Sequence, residues 1–316
     1  MRSIPPLWRG VGLYLCAALL WSVNGSVSKT LLESGIEVAR LSQLRVSGAF
    51  LLFALVVTLR DRGAWRIRSR GELALLVLYG VVGLAVTQWL YFLAIWLLPI
   101  GVGLVLEFTA PFLVALWARH VQKQPMPRRV WLGLAIALAG LALITEAWSG
   151  FTLDPLGVAA GLGAALTFAL YFITGERALH GPPGRDSLSL SMWGFAFGTL
   201  FWSLFAPWPE FEWHYLQGTS ELVGGWLLPN WSLAGFMVVA GTALPFWLVV
   251  SAMRHISAAQ ASGIGMTEPV MASIIAYLWL GERLSSWQVL GGALTLGGVG
   301  LAEAARRTAN GVSGAH

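Results

Sequence analysis

Three ionisable residues stand inside long apolar stretches of this chain: Arg45, Glu107 and Glu268. A charge held at mid-membrane costs about 2.5–3.5 kcal/mol on insertion scales, so such residues are kept for pairing, for carrying a proton or for holding a polar solute. At a rise of ~1.5 Å per residue, Arg45 and Glu107 fall at similar depth in their stretches, and they are expected to pair. That pair either locks two helices together or meets a substrate directly. Glu268 sits in Gly263-Ile264-Gly265-Met266-Thr267-Glu268-Pro269. The proline removes a backbone hydrogen bond and can kink the helix, so a carboxylate there could bind an ammonium group, exchange a proton or serve as a hydrogen-bonded structural acid. Around these charges, Trp21, Asn24, Gln88, Tyr91, Thr167, Tyr171, Trp193, Thr242 and Trp247 are polar or aromatic residues expected at mid-depth. Singly, buried amides more often bond neighbouring helices than ligands. Together, aromatic walls with a few amides and hydroxyls suit a cavity for a small amphiphilic solute.

The elements that must carry these residues are helices that span a membrane. The chain has 316 residues, of which 57% are hydrophobic and 11% charged. Soluble domains carry roughly 25% charged residues, so the surrounding solvent is expected to be lipid. Ten apolar stretches reach the ~20 residues a spanning helix needs: about 10–32, 37–59, 72–96, 99–119, 129–148, 155–177, 187–206, 231–253, 257–280 and 286–304. Strand-like alternation is absent, and lipid leaves backbone groups no partner outside a helix or a closed barrel. With the N-terminus inside, connections on that side hold sixteen Lys and Arg and those on the other side hold three. This places both termini in the cytoplasm and explains the basic pI of about 9.8 without nucleic acid.

Residues 99–145 and 257–303 match at a constant offset of 158, with Thr109 on Thr267, Pro111 on Pro269, Gly133 on Gly291 and Gly140 on Gly298. Five helices per half make the two copies run in opposite directions. The expected fold is an all-α membrane protein of ten transmembrane helices in two inverted five-helix repeats, 1–150 and 151–316. Segment 207–230, rich in Trp and Pro, should lie flat on the outer interface through Trp208, Phe211, Trp213 and Tyr215. The glycines of helices 5 and 10 are expected to pack those helices closely. Cys16 has no cysteine partner, the histidines lack metal-ligand spacing, and no phosphate loop or nucleophile motif is present, so neither a metal nor a cofactor is expected.

The stretch Glu268-Pro269-Val270-Met271-Ala272, followed by Leu280-Gly281-Glu282-Arg283-Leu284 and by Gln288 to Leu294, resembles the second EamA domain of the drug/metabolite transporter superfamily. The segment Ile100-Gly101-Val102-Gly103 with Leu106-Glu107-Phe108-Thr109-Ala110-Pro111 resembles the branch containing threonine/homoserine exporters. Where many members carry Gly-Glu after helix 4, this chain has Lys123-Gln124. The resemblance implies a ten-helix carrier of the bacterial inner membrane that exports amino acids, other metabolites or toxic organic compounds; the chain itself is expected to be a monomer or a homodimer. It implies a cavity lined by helices 1, 3, 4, 6, 8 and 9, hence by Trp21, Asn24, Gln88, Tyr91, Glu107, Tyr171, Trp247 and Glu268. The expected function is secondary export of small amphiphilic metabolites, foremost amino acids, by alternating access. Its drive is open between proton exchange through Glu107 or Glu268 and facilitated diffusion. Carriage of nucleosides, sugars or cationic drugs is the alternative within transport. A non-transporting receptor and a membrane-embedded enzyme are the alternatives outside it.

Overall fold

Proline opens the first helix: Pro6 is the first residue of α1 (Pro6–Glu33), where its missing N–H would be unpaired anyway. Gly35, at φ 103°, turns the chain into α2 (Val38–Arg60). A 3₁₀ turn (Arg62–Trp65) leads to α3 (Arg70–Val77), which Ser69 caps by accepting from Glu72 N at 3.1 Å. α3 continues through a π-helical stretch, Leu78–Val86, into α4 (Thr87–Leu97). α5 (Ile100–Glu107), α6 (Ala110–His120) and α7 (Arg128–Ile144) follow. Asp154 and Asp186 cap α8 (Pro155–His180) and α9 (Ser187–Phe205), each accepting two backbone N–H groups. After two 3₁₀ turns comes an antiparallel hairpin, β1 (Thr219–Leu222) and β2 (Trp226–Pro229), with Leu222 opposite Trp226. α10 (Asn230–Val238) passes through a second π-helical stretch, Val239–Ala243, into α11 (Leu244–Ala252). A capping box of Ser257 and Gln260 starts α12 (Ala258–Gly265), and α13 (Glu268–Leu280) and α14 (Ser286–Ser313) complete the chain. This computed structural model describes residues 5–147, 154–182, 184–222, 225–280 and 284–313; the Gly281-Glu282-Arg283 motif lies outside them.

Among the described residues, seven helices are long and apolar enough to cross a membrane: Pro6–Glu33, Val38–Arg60, Arg70–Leu97, Gly101–His120, Pro155–His180, Ser187–Phe205 and Asn230–Ala252. Leu51, Leu59, Leu204, Phe205 and Trp96 stand exposed on the outside of the bundle, as a hydrocarbon solvent requires. The interior is aromatic, with Tyr14, Tyr79, Tyr171 and Phe172 among its largest fully buried side chains.

Polar contacts sort the connections into two ends. At one end, Arg185 donates to Ala64 O, Arg66 O and Glu72, Glu176 joins Gln122 to Ala258, Gly10 packs on Ile256, and the Arg307 guanidinium lies 4.7 Å from the centre of the Trp8 ring. The two chain ends therefore share that face with four connections. At the other end, Arg40 donates to Pro207 O and Glu210, Gly35 packs on Tyr215, and Ser285 donates to Glu146.

α7 and α14 cross antiparallel at their glycines. A methyl group on Gly133 would lie 2.6 Å from Gly298 O, and one on Gly140 would lie 2.6 Å from Gly291 O. Backbones this close require glycine at the crossing.

The stretches 99–119 and 257–280 each carry a tight turn within their length, at Phe108–Thr109 and at Met266–Thr267, where the backbone stays close to helical angles. One expectation is corrected. Segment 207–230 is a folded cap rather than a strip lying flat. Phe211 is buried beneath Trp208 and Trp213, and Gln43 and Arg40 hold its start from α2.

Candidate functional site

The two turns are built from the same local chemistry. Thr109 Oγ1 donates to Leu106 O at 2.6 Å, and Thr267 Oγ1 donates to Ile264 O at 2.7 Å. Both threonines also donate their backbone N–H three residues back, a 3₁₀ tightening of the turn. Pro111 and Pro269 then withhold the N–H that would reach Glu107 O and Gly265 O. Each stretch so carries a 3₁₀ turn at mid-length, between α5 and α6 and between α12 and α13. Glu107 is the last residue of α5, and Glu268 is the first of α13. Discontinuous helices build substrate and ion sites in secondary transporters.

Among the described residues no ion pair joins Arg45, expected to pair with Glu107, to either carboxylate; the one whose charge bears on it is Glu268. Glu107 has Glu268 and Tyr91 as electrostatic neighbours. The turn in 257–280 makes Glu268 the first residue of α13, a helix that packs on α1. The Arg45 Nε is buried and takes no hydrogen bond. Tyr91 stands near both carboxylates.

Asn24 lies against Gly241, and its Oδ1 is buried without a hydrogen-bond partner; the same holds for Gln88 Oε1. Buried acceptors left open in this way call for a partner from water or ligand. Trp21 meets Phe246 edge-on at 5.1 Å, and Phe246 meets Tyr171 edge-on at 6.1 Å. Tyr171 stacks on Tyr79 at 5.2 Å, and its hydroxyl, close to that ring, makes no hydrogen bond of acceptable geometry. Trp247 packs against the apolar cluster of Phe53 and Phe195. Thr167 and Thr242 spend their hydroxyls on carbonyls of their own helices. Trp193 is displaced from the expected depth: its Nε1 donates to Ala64 O, beside Arg185, at the end of the bundle that carries the termini. No group of three or more His, Cys, Asp and Glu suited to a metal occurs among the described residues.

The structure adds residues that sequence reasoning missed. Tyr14 is 1% exposed; a methyl on Gly265 would lie 2.6 Å from its hydroxyl, and it faces Glu268 and Tyr171. Ser22, whose hydroxyl donates to Ala18 O at 2.8 Å, also lies 3.2 Å from Glu268 O. Both lie within an apolar run whose spacing marks neither.

The two π-helical stretches stand at matching places. Gly83 and Gly241 lie 158 residues apart. A methyl on Gly83 would be 2.9 Å from Tyr171 Cα, and Gly241 abuts the Asn24 amide. Each π-helical stretch therefore sits against a helix from the opposite half of the chain. Such segments inside α-helices are frequent at functional sites.

A solved crystal structure is similar in fold, with a TM-score of 0.76 at 16% identity, over 95% of this chain and 98% of the other. The threonine/homoserine exporter RhtA of Escherichia coli (strain K12) is 27% identical over 296 residues, 90% of this chain and 88% of that protein. The uncharacterized transporter YwfM of Bacillus subtilis (strain 168) is 26% identical over 312 residues, 96% of each. A model of the EamA-like transporter family matches residues 8–146 and again 155–303. With two matches that together cover most of its length, this chain, a multi-pass membrane protein, belongs to the EamA-like transporter family.

Proposed function

We propose that the protein is a secondary carrier that exports small amphiphilic metabolites, foremost amino acids, across a bacterial inner membrane. The observation that carries this reading is the pair of mid-length turns beside which Glu107 and Glu268 stand in one interior region with Arg45 and Tyr91. In this reading ten spans form two inverted five-helix units, 1–150 and 151–316. The α7–α14 crossing supports it: the offset of 158 that maps Gly133 to Gly291 and Gly140 to Gly298 exchanges its two contacts. The shared end of the two termini agrees with an even number of crossings. The Lys and Arg bias puts that end in the cytoplasm.

The substrate's ammonium group would meet the carboxylates, and its carboxylate the free edge of Arg45. Trp21, Phe246 and Tyr171 would wall its apolar part, with Asn24 and Gln88 offering open acceptors. Glu107, which has no cation as neighbour among the described residues, is the group for proton exchange. The relative named as a threonine/homoserine exporter supports this substrate class. The aromatic wall beside two acids also suits a cationic drug, and a substrate without a carboxylate would leave Arg45 idle.

Purified protein in liposomes, assayed for counterflow of labelled threonine, homoserine and cationic dyes with and without a pH gradient, tests the proposal. Amino-acid counterflow that Glu107→Gln uncouples from the gradient is the expected result. Dye exchange that survives Arg45→Met, with no amino-acid exchange, would establish the cationic reading instead.

A further inference from the structure

A cleft of about 560 Å³ opens at the end of the bundle that carries the termini, between the end of α6, the end of α8 and the α11–α12 turn. It lies on the line of the candidate site. α6 runs from Ala110, beside Glu107, to Trp117 and Gln122 at the cleft, and α12 runs from Ser257 at the cleft to Gly265, beside Glu268. At ~1.5 Å per residue, roughly 12 Å of helix separates the cleft from the carboxylates. That length is packed shut. Val114, Ala118, Ala261 and Ile264 are buried along the two half-helices, and a methyl on Gly175 would lie 3.1 Å from the Met253 side chain and 3.2 Å from the Tyr79 ring.

One side chain spans the cleft floor. Glu176, near the end of α8, accepts from Gln122 Nε2 at 2.7 Å with one oxygen and from Ala258 N at 2.8 Å with the other. Ala258 N is among the first free donors of α12, where a carboxylate is stabilised by the helix dipole. The turn after α6 and the first residue of α12 are therefore tied to a single residue of α8. No other described hydrogen bond of a side chain joins α8 to both. We propose that this cleft is the closed mouth of the transport pathway on the side of the termini, and that Glu176 is the latch that holds it shut. Release of the carboxylate frees α6 and α12 to part from α8 while α5 and α13 stay in place, because the turns at Phe108–Thr109 and Met266–Thr267 are the joints between them.

The inference rests on the carrier reading for the existence of a pathway, and not on the identity of the substrate. Its test is labelling. In a Cys16→Ala background, Ser262→Cys places a thiol on the buried face of α12 that also carries Ala258. A membrane-impermeant maleimide is added to sealed vesicles from either side. The closed mouth should leave Cys at 262 nearly unreactive. Glu176→Ala should raise its labelling rate at least about tenfold from the side of the termini alone, the gain expected when a minor open state becomes the main one. Gln122→Ala, which removes one of the two ties, should give a smaller rise from the same side. It keeps the test informative if Glu176→Ala fails to fold. An unchanged rate in folded variants, or an equal rise from both sides, would overturn the latch. A one-sided rise together with no amino-acid counterflow in the parent protein would sink the substrate assignment and leave the latch standing.

Discussion

The stretches 99–119 and 257–280 share a threonine, a proline and a 3₁₀ turn, yet they place their carboxylates on opposite sides of the turn. In 99–119 the acid precedes the threonine by two residues and closes α5; in 257–280 it follows the threonine and opens α13. A helix start carries partial positive charge and a helix end partial negative charge. Glu268 therefore has both the start of α13 and Arg45 to balance it, whereas Glu107 sits at an end whose dipole opposes it. The same turn chemistry leaves one acid under the influence of a cation and the other without one among the described residues. A strictly symmetric site would give two equal acids; in the carrier proposed above, this asymmetry would separate the holding of a cation from the exchange of a proton.

The strongest way to break that comparison is at Arg45. Arg45 is the cation whose charge bears on Glu268. Arg45→Met should therefore abolish counterflow and lower the thermal midpoint, whereas Arg45→Lys should keep the fold and lose most of the exchange. Equal exchange in Arg45→Met and parent would remove Glu268 from the substrate site. Next come the glycines of the α7–α14 crossing. A methyl on Gly140 or on Gly298 would lie 2.5 Å from backbone nitrogens of the facing helix. Gly140→Ala and Gly298→Ala should each destabilise by about 1–3 kcal/mol, and by similar amounts, in a detergent melting assay. Markedly unequal losses would speak against a two-fold crossing. The π-helical stretches should differ from each other. A methyl on Gly83 meets the backbone of Tyr171, whereas one on Gly241 meets only the side-chain amide of Asn24, which can rotate. Gly83→Ala should cost stability, and Gly241→Ala should mainly alter substrate affinity in counterflow. The smallest effect belongs to the cap. Arg40 and Glu210 pair at 3.1 Å with Glu210 68% exposed, so Glu210→Gln should shift stability by about 1 kcal/mol or less, and less again in high salt.

Composition and periodicity made the helices legible because lipid permits few alternatives: an apolar run of sufficient length must close its own hydrogen bonds. They did not reveal the turns. Pro111 and Pro269 were visible, but a proline in a long apolar run fits a mild kink as well as a tight turn. What decides is the threonine two residues earlier turning its hydroxyl back to a carbonyl. The direction of pairing was hidden as well. Depth counted along helices sets Arg45 beside Glu107, but depth alone does not say which faces of the helices meet. Tyr14 was missed because a tyrosine in the first apolar run resembles any other core aromatic. Its meaning comes from Gly265, 251 positions away, whose missing side chain leaves room for the hydroxyl. Asn24, Gln88 and Tyr91 were legible as amides and a phenol in apolar surroundings, where the cost of burial marks them.

The glycine seam between α7 and α14 has a consequence for ancestry. In an isologous interface, residue i touches j while j touches i. At this seam Gly133 touches Gly298, the counterpart of Gly140, and Gly140 touches Gly291, the counterpart of Gly133. The α7 surface and the α14 surface are thus interchangeable at this joint, so a duplicated copy of one could have met the other without a new surface being invented.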